Sequence, residues 1–473
     1  MNSAAYVLHS GAMSEDLDTL LAAAEGGAAE AQFRLACYYE QAGDAAEGMR
    51  WYERAAEQGE PRALYNMALN YMNGEGVKKN EARGAELFAR AESLSHDADA
   101  QYNLGICYNK GIGVPEEAEK AVRWYRRAAE QGHAAAQRSL GLCYDTGVGV
   151  ERDVAVGARW LQKAAEQGDA DAQAALGNHY DLGLGVKKDE KVAFDWYMKA
   201  AEQRDALAQY MVATHYGAGT AAVAADAEQY AHWLQKAAEG GDDDAQTEWA
   251  TLCEDEGKAE EAARWWRMAA EQGNAKAQSK LGACLMMGKG VAPDEEEAAR
   301  WVQKAAEQGL AHGQYQRGLC FRHGEGVEPD AAEAARWFRM AAEQGHAYAQ
   351  LELAHLYRYG RGVPQSHWRA VRWYRRSAGQ GVDEAQNMLG ICYTHGEGVL
   401  WRSHRKASRW FRMAAEQGLA EAQVSLGLNY ISGTGVPQDM QEGLRLIRLA
   451  AEQGSELARR ALAQLEPGGC ADC

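Results

Sequence analysis

The pentapeptide Ala-Ala-Glu-Gln-Gly recurs along the whole chain at a nearly constant spacing. Identical copies end at eight glycines: Gly59, Gly132, Gly168, Gly273, Gly309, Gly345, Gly418 and Gly454. Looser copies end at Gly27, Arg204, Gly241 and Gly381, and the unit that ends at His96 keeps only the position. The steps between successive ends are 36 or 37 residues, apart from two of 32 residues. Because a fixed period over a whole chain is typical of repeat architectures, the sequence predicts a stacked array of small units.

Each repeat contains two segments with helical periodicity, as residues 133–168 illustrate. In the first segment Ala136 and Leu140 are four residues apart, so they lie on one face of a helix. This segment ends at the Gly-Val-Gly of 147–149, where glycine can adopt the left-handed conformation of a helix cap. The second segment carries helix-spaced apolar residues over 158–165. The repeat is therefore predicted to be two helices joined by short loops.

Two residue types recur at fixed places within these helices. A tryptophan recurs in the second helix of ten repeats, at positions 51, 124, 160, 196, 233, 265, 301, 337, 373 and 410. Burying one indole removes roughly 200 Å² from water, so these tryptophans are predicted to form the core. A glycine recurs inside the first helix, at Gly105, Gly141, Gly177, Gly282, Gly390 and Gly427. Since glycine inside a helix costs about 1 kcal/mol relative to alanine, its recurrence predicts that another helix passes close by.

The combined pattern resembles a known family. Ala-Gln-x-x-Leu-Gly-x-x-Tyr, Gly-x-Gly-Val and Ala-x-x-Trp-x-x-x-Ala-Ala-Glu-Gln-Gly follow one another as in the Sel-one-like repeat (SLR), a relative of the tetratricopeptide repeat, over about residues 14–465. The resemblance implies an all-α superhelical solenoid of about twelve helix-pair repeats with terminal capping helices. It also implies a scaffold that holds or recruits other proteins, although some secreted, cysteine-rich members are described as β-lactamase-like.

The repeats also predict the domain boundaries. The expected segments are a disordered N-terminus (1–13), an N-capping helix (14–27), the solenoid (28–454), a C-capping helix (455–466) and a flexible tail (467–473). The two short repeats, 28–59 and 242–273, lack the Gly-x-Gly-Val loop, and each begins a run of six repeats. A duplication of two halves, 28–241 and 242–454, is therefore one interpretation.

Composition narrows the class of protein. The formal net charge of −18 argues against general binding to nucleic acid. The sequence has no stretch of 18 apolar residues, so no membrane span is expected. The first residues lack the basic and apolar regions of a secretory signal, and a cytoplasmic location is the expectation.

The cysteines are expected to be buried thiols. Five of them share one position on the first helix: Cys107, Cys143, Cys284, Cys320 and Cys392. One thiol per repeat beside the apolar face is typical of a small buried hydrophobe. The resemblance implies two bridged cysteines per repeat in the secreted relatives, which this chain does not have.

Four sequence fragments resemble reactive or binding motifs, and none has its required context. The Gly-x-Gly-Val loops lack the preceding strand of a phosphate-binding loop. Ser403 and Lys406 form a Ser-x-x-Lys motif without the partner motifs of β-lactamases. Cys320-x-x-His323 and Cys392-x-x-His395 lie two repeats apart, too far to share one zinc ion. No catalytic, cofactor or metal site is predicted, and the Cys470 and Cys473 pair is interpreted as an oxidisable tail.

The first candidate binding surface is a row of apolar residues on the first helices. They occupy positions that should face away from the predicted core: Phe33, Tyr65, Leu69, Tyr102, Ile106 and Leu142. Exposed apolar patches commonly mark a binding partner, so these residues are predicted to line a groove for a protein or peptide. The alternative is packing between neighbouring first helices.

The second candidate surface is a reversal of charge. Residues 358–412 contain eleven Lys or Arg against three Asp or Glu, a net charge of +8, whereas the rest of the chain carries −26. The residues predicted to bind an acidic partner there are Trp368, Arg369, Arg372, Arg376, Trp401, Arg402, Arg405 and Arg409. Arginine and tryptophan often anchor interfaces. The alternatives are a solvated arginine face, the acidic half of a second molecule, or a nucleic-acid backbone.

The sequence thus favours a non-catalytic scaffold that binds a protein or peptide. A cell-wall or β-lactam hydrolase is an alternative that rests on the family resemblance alone. RNA binding through the basic segment is a further alternative, and nucleic acid is not the expected partner.

Overall fold

The computed structural model describes residues 17–465, which form 26 α-helices and no strand. The predicted all-α class and the twelve helix-pair repeats are confirmed. The expected disorder of 1–13, the expected flexibility of 467–473 and the cysteine pair of the tail concern positions outside the described residues. The chain divides into two compact units, with the boundary between Gly240 and Gly241.

Unit 1 contains one leading helix and six helix pairs. Its helices are α1 (Leu17–Glu25), α2 (Ala29–Gln41), α3 (Ala45–Glu57), α4 (Pro61–Asn73), α5 (Glu81–Ser95), α6 (Ala98–Lys110), α7 (Ala118–Glu130), α8 (Ala134–Thr146), α9 (Val154–Glu166), α10 (Ala170–Leu182), α11 (Glu190–Glu202), α12 (Ala206–Ala218) and α13 (Ala227–Glu239).

Unit 2 contains six helix pairs and one closing helix. Its helices are α14 (Asp243–Asp255), α15 (Ala259–Gln272), α16 (Ala275–Met287), α17 (Glu295–Glu307), α18 (Ala311–His323), α19 (Ala331–Glu343), α20 (Ala347–Tyr359), α21 (His367–Gly379), α22 (Asp383–His395), α23 (His404–Glu416), α24 (Ala420–Ser432), α25 (Met440–Glu452) and α26 (Glu456–Leu465). The boundary between the units lies within a residue of that between the two predicted halves, and their origin by duplication remains a prediction.

The packing order follows the chain within each unit. The two helices of a pair pack against each other, and each second helix packs against the first helix of the next pair. The leading helix α1 packs on α2, and the closing helix α26 packs on α25. Within each unit, consecutive helices therefore pack against each other, which is the packing mode of a solenoid.

The Gly-x-Gly-Val loops are explained by packing. In the repeat of α10 and α11, Gly183 ends the first helix with φ 72° and Asp189 caps the second helix through the backbone N–H of Val192. Gly185 has φ 67°, and a Cβ there would overlap the carbonyl of Val154 at the start of α9. The second glycine therefore lets each loop pack against the preceding repeat.

The glycines inside the first helices mark close approaches, as predicted. A Cβ on Gly105 would lie 2.5 Å from the ring of Tyr125, and one on Gly177 would lie 2.7 Å from the ring of Tyr197. Neither distance is compatible with a packed core. The missing side chain therefore makes room for a large residue of the second helix.

The prediction that the recurrent tryptophans fill the core is wrong, because the core position is the next residue along the chain. The fully buried large side chain is the residue that follows the tryptophan, for example Tyr52, Tyr197 or Tyr374. Trp51 and Trp233 are buried, but most of the others are half-buried at the edge of the core. A Lys or Arg three residues later covers several exposed indole faces; the Lys199 ammonium lies 3.8 Å from the centre of the Trp196 ring. One residue turns a helix by about 100°, which moves the indole from the core to its edge.

Hydrogen bonds between glutamines explain why two glutamines recur in the repeat. One is the Gln of Ala-Gln at the start of the first helix, and the other is the Gln of Glu-Gln-Gly at the end of the second helix. In the repeat 169–204, Gln173 near the start of the first helix donates to the carbonyl of Ala165 in the previous repeat, at 3.1 Å. Its own carbonyl oxygen accepts from Gln203 at the end of the second helix, at 2.8 Å. The same side-chain pair occurs in ten repeats within residues 17–465. We call this set of bonds the glutamine ladder.

The glycine packing predicts opposite effects for two alanine substitutions in unit 2. Gly390→Ala would overlap the ring of Phe411, so overpacking of about 1–3 kcal/mol should exceed the gain in helix propensity. Gly379→Ala is the matched control, because a Cβ there meets no atom within 4 Å, and it should stabilise by about 0.5–1 kcal/mol. Urea unfolding followed by circular dichroism measures both. Equal stabilisation by the two variants would contradict the proposed packing.

Two histidines occupy the position that is cysteine in five other repeats, and their surroundings differ. His179 lies 2.9 Å from a carboxylate oxygen of Asp145 and 2.7 Å from the carbonyl of Leu184. Burial lowers the pKa of His179, but these two acceptors outweigh it, so its pKa lies above the ordinary value. The pKa of His215 is lowered, mainly by burial. Protonation is therefore favoured at the first site and opposed at the second.

These pKa shifts predict opposite pH dependences for two glutamine substitutions. His179→Gln should destabilise α8 and α10 by about 1.5–3 kcal/mol, the range for hydrogen bonds to charged groups, at pH below about 6.5. This difference should shrink as the pH rises through the raised pKa. His215→Gln is the control, and its effect should shrink as the pH falls through the lowered pKa. Native-state hydrogen exchange measures both, and a common trend with pH would contradict the assignment.

Candidate functional site

A cleft of about 790 Å³ lies within the basic segment of unit 2. We call it the basic tryptophan cleft. Its lining residues are Trp368, Val371, Arg372, Arg375, Tyr393, Gly398, Val399, Leu400, Trp401 and Lys406. They come from α21, the end of α22, the loop 396–403 and the start of α23.

The loop of this cleft is one residue longer than that of the preceding repeat. There, two residues separate Val363 from the helix cap at Ser366, whereas three residues separate Val399 from Ser403. Gly398 packs on the backbone of His367, which fixes the start of the loop. The additional length leaves Leu400 89% exposed and Trp401 80% exposed.

A second tryptophan lies across the cleft, near the start of α21. Trp368 is 65% exposed, and it stands where the repeat two earlier has Glu296. Trp368 and Trp401 therefore both lie outside the core. Two indoles and a leucine around one cleft form an unusually apolar surface on a charged segment.

Two of the three cations of the cleft contact the same aromatic ring. Arg375 donates to the hydroxyl of Tyr393 at 3.3 Å, and the Lys406 ammonium lies 5.5 Å from the centre of the same ring. Within residues 17–465, no carboxylate forms an ion pair with Arg372, Arg375 or Lys406. Arg358, by contrast, pairs with Glu397 at 2.9 Å. The positive charge of the cleft is therefore not neutralised locally.

The two helices beside the cleft begin without a negative charge. Ser366 caps α21 and Ser403 caps α23, each accepting a backbone N–H through its hydroxyl at 3.4 Å. Most other second helices carry Asp at this position, such as Asp294 and Asp330. The first turns of α21 and α23 also contain no acidic residue. The positive ends of both helix dipoles add to the local field.

Only three of the eight predicted residues of the basic surface line the cleft: Trp368, Arg372 and Trp401. The Arg369 guanidinium lies 5.5 Å from the centre of the Tyr357 ring, and that of Arg376 lies 4.7 Å from the centre of Trp373. Arg402 donates to the carbonyl of Thr394 at 3.0 Å. Arg405 and Arg409 are exposed on α23.

Seven lining residues of the cleft are absent from the predicted set: Val371, Arg375, Tyr393, Gly398, Val399, Leu400 and Lys406. The extra residue in the loop was the available signal for Leu400. No sequence signal identified Tyr393, because tyrosine recurs at this repeat position, for example as Tyr108 and Tyr144.

The expectation of an exposed groove on the first helices is wrong for half of its residues. Phe33, Tyr65 and Leu69 are at most 5% exposed and belong to the hydrophobic core of unit 1. Tyr102 and Ile106 are half-buried against the core, and Leu142 is 43% exposed.

Contacts between neighbouring first helices contribute to the burial of Phe33 and Tyr65. The Tyr65 hydroxyl accepts a hydrogen bond from Asn103 of the next first helix at 2.9 Å. Arg62 lies on the first helix of the repeat after that of Phe33, and its guanidinium lies 4.5 Å from the centre of the Phe33 ring. First helices thus bury side chains against each other as well as against their own partner helices.

Two of the fragments that resemble reactive motifs have a structural explanation within residues 17–465. Burial raises the pKa of the Cys320 thiol and of the Cys392 thiol to about 11, while His323 and His395 are exposed. Ser403 is the N-cap of α23, and its hydroxyl accepts from the backbone N–H of Lys406.

Residues 17–465 contain no group of three or more His, Cys, Asp or Glu placed to hold a metal ion. None of the helices in this range is both long enough and apolar enough to cross a bilayer.

The family model of the Sel1 repeat matches twelve consecutive segments of the chain. They are 29–60, 61–96, 98–133, 134–169, 170–205, 206–242, 244–274, 275–310, 311–346, 347–382, 383–419 and 420–455. The chain therefore belongs to the Sel1 repeat family, and the predicted resemblance is confirmed.

Known structures and proteins agree with this membership. The crystal structure of a protective antigen from uropathogenic Escherichia coli with an SLR fold is 35% identical, covers 97% of this chain and 91% of that chain, and has a TM-score of 0.52. Chitin synthase regulatory factor 3 of Schizosaccharomyces pombe is 38% identical over 23% of this chain and 12% of that protein. The ERAD-associated E3 ubiquitin-protein ligase component HRD3B of Arabidopsis thaliana is 33% identical over 21% of this chain and 16% of that protein. The chain thus spans less than a fifth of the length of either curated relative.

Proposed function

We propose that this protein is a non-catalytic scaffold that binds an acidic protein segment in the basic tryptophan cleft. The observation that carries the proposal is the exposure of Trp368, Leu400 and Trp401 around a cleft of about 790 Å³. Large apolar side chains gathered at one concave surface commonly mark an interaction site. Tryptophan is also among the residues that contribute most to binding energy.

The charges of the cleft define the chemistry of the partner. Arg372, Arg375 and Lys406 line the cleft without a carboxylate partner, so acidic side chains can pair with them without displacing an existing ion pair. An apolar side chain of the same segment would contact the two indoles. Apolar contact would supply most of the affinity, while the charges would accelerate association and select for an acidic sequence.

The family relationship supports a general protein-binding function. The chemistry of the partner is inferred from the cleft alone. Relatives are named as a regulatory factor and as a component of a ligase, and both names are consistent with a protein-binding role. Since the matched region is a small part of each relative, their particular partners are not transferred to this chain. Tyr102, Ile106 and Leu142 keep partial exposure on unit 1 and constitute a weaker, separate surface in this proposal.

Removing the two exposed indoles should weaken binding of an acidic probe. The probe is a fluorescein-labelled peptide of glutamates around one phenylalanine, and binding is followed by fluorescence anisotropy. Trp368→Ala combined with Trp401→Ala should raise the Kd at least tenfold, since anchor residues contribute about 2 kcal/mol or more. The control is Met287→Ala combined with Tyr348→Ala, two exposed apolar residues outside the cleft, which should leave the Kd unchanged. Equal effects of the two double variants would contradict the proposal.

Charge reversal should weaken the same complex and reduce its dependence on salt. Arg372→Glu combined with Arg375→Glu removes two cations of the cleft. The matched control is Arg300→Glu combined with Arg336→Glu, because each of these arginines precedes the second-helix tryptophan, as Arg372 does. Raising the salt concentration shortens the Debye length from about 10 Å at 0.1 M to about 3 Å at 1 M. Added salt should therefore weaken peptide binding by the wild-type protein more than peptide binding by the Arg372→Glu, Arg375→Glu variant.

Two outcomes would establish the alternative functions instead. Tighter binding of single-stranded RNA than of the acidic peptide, lost in the Arg372 and Arg375 variant, would favour RNA binding. Turnover of nitrocefin by the purified protein, abolished by Ser403→Ala, would favour a hydrolase.

A further inference from the structure

One repeat of unit 1 breaks the glutamine ladder and leaves its acceptor in place. In residues 205–241 the first-helix glutamine is present as Gln209, which donates to the carbonyl of Ala201 at 3.1 Å. The second-helix glutamine is replaced by Gly240. Within residues 17–465, no group donates to the side-chain oxygen of Gln209. Gln209, a residue that is 95% buried as a whole, thus keeps an acceptor oxygen without the glutamine donor that its counterparts have in ten repeats.

A cleft of about 600 Å³ lies at this position. It is lined by Ala201, Glu202, Arg204, Gln209, Trp233, Lys236, Glu239 and Gly240. In the preceding repeat, the corresponding space contains the side chain of Gln203, which reaches Gln173 at 2.8 Å. The cleft therefore includes the space that the second-helix glutamine fills in the preceding repeat. Gln209 is one of the residues that line it.

A second exception to the repeat pattern lies beside the same cleft. Arg204 stands where most repeats have the glycine of Glu-Gln-Gly, and its φ is 68°. An L-residue in this conformation is held at a cost of about 1 kcal/mol. The long basic side chain is therefore held at the rim of the cleft in a backbone conformation that favours glycine.

The other break in the ladder provides the contrast. In residues 60–96 the first-helix glutamine is itself replaced by Leu64, which is fully buried. That repeat therefore has no first-helix glutamine whose oxygen could lack its donor. Among the twelve repeats within residues 17–465, the repeat 205–241 alone keeps the first-helix glutamine while lacking the second-helix glutamine.

We propose that this cleft binds the carboxamide of a glutamine side chain from an extended segment of a partner protein. The bound amide would donate one N–H to the side-chain oxygen of Gln209, replacing the bond that each of the ten intact repeats forms internally. The remaining volume would contain the neighbouring backbone, within reach of Arg204 and Glu239 at the rim. This site lies in unit 1, and it does not depend on the basic tryptophan cleft in unit 2.

The chemistry of the acceptor discriminates between side chains. A glutamate has the same shape, but its carboxylate cannot donate to Gln209. A methionine has a similar length and no N–H donor. An asparagine is shorter by one methylene than the side chain that fills this space elsewhere in the array. Glutamine is therefore the side chain that reproduces both the reach and the hydrogen bond.

Saturation-transfer NMR on the full chain tests the proposal with three blocked tripeptides. Each is an acetyl-alanyl-X-alanine N-methylamide, with X as glutamine, methionine or glutamate, so that the only primary carboxamide is on the side chain. The glutamine peptide should show saturable transfer, and its Kd should be about tenfold lower than that of the methionine peptide. Free L-glutamine is included to separate a peptide site from an amino-acid site.

Two variants locate the interaction. Gly240→Gln should fill the cleft and abolish binding of the glutamine peptide. Because its Cβ would lie 2.9 Å from the Cβ of Ala206, circular dichroism establishes that the variant is folded before binding is measured. Gln209→Met keeps the side-chain volume and removes the acceptor, so it should raise the Kd to that of the methionine peptide. Gln137→Met in an intact repeat is the control and should leave peptide binding unchanged.

Several results would overturn the proposal. One is the absence of saturable transfer from the wild-type protein to the glutamine peptide, and another is equal binding of the glutamine and methionine peptides. Binding retained by a folded Gly240→Gln variant, or free glutamine binding as tightly as the peptide, would also contradict it. The Arg372→Glu, Arg375→Glu double variant should bind the glutamine peptide normally, so failure of the basic cleft and failure of this site are distinguishable.

Discussion

The glutamine ladder is the interaction on which the regular stacking of this array depends. Each first-helix glutamine is almost fully buried, and an unsatisfied buried amide costs about 1–3 kcal/mol. It can be satisfied only if the preceding helix end and the following helix end are both at the correct distance, as for Gln350, which donates to Ala342 and accepts from Gln380. Hydrophobic contact alone would allow neighbouring repeats to slide. The amide bonds fix their register.

The close approach of each helix pair is the second constraint, and it determines which residue is buried. Gly105 and Gly177 leave room for the rings of Tyr125 and Tyr197, so the second helix is oriented with these tyrosines towards the first. The preceding tryptophans are thereby placed at the edge of the core. There they keep an aromatic face available for a cation, as Lys163 shows over Trp160. Core packing and surface chemistry are therefore linked through one helical rotation.

Departures from the repeat pattern coincide with the two candidate binding sites. One additional loop residue exposes Leu400 and Trp401, and one missing glutamine side chain, at Gly240, opens a cleft beside Gln209. In both places the surrounding repeat remains intact, because the affected position lies at a loop or a helix end. A repeat array can acquire binding surfaces in this way without disturbing the glycine contacts and the ladder that hold it together.

Local periodicity, and one period repeated twelve times, were enough to predict the helix-pair repeat and the close approach at its glycines. The basic segment and its two unusual tryptophans were also visible in the sequence, since each departs from the pattern of its neighbours. Which side chains are accessible depends on the packed structure. Phe33 and Tyr65, for example, are buried partly by contacts from the next first helix. Tyr393 joins Trp368 and Trp401 because three helices and a loop converge there. Contacts between repeats depend on the rotation of each helix about its axis, which the spacing of residues along one repeat does not specify.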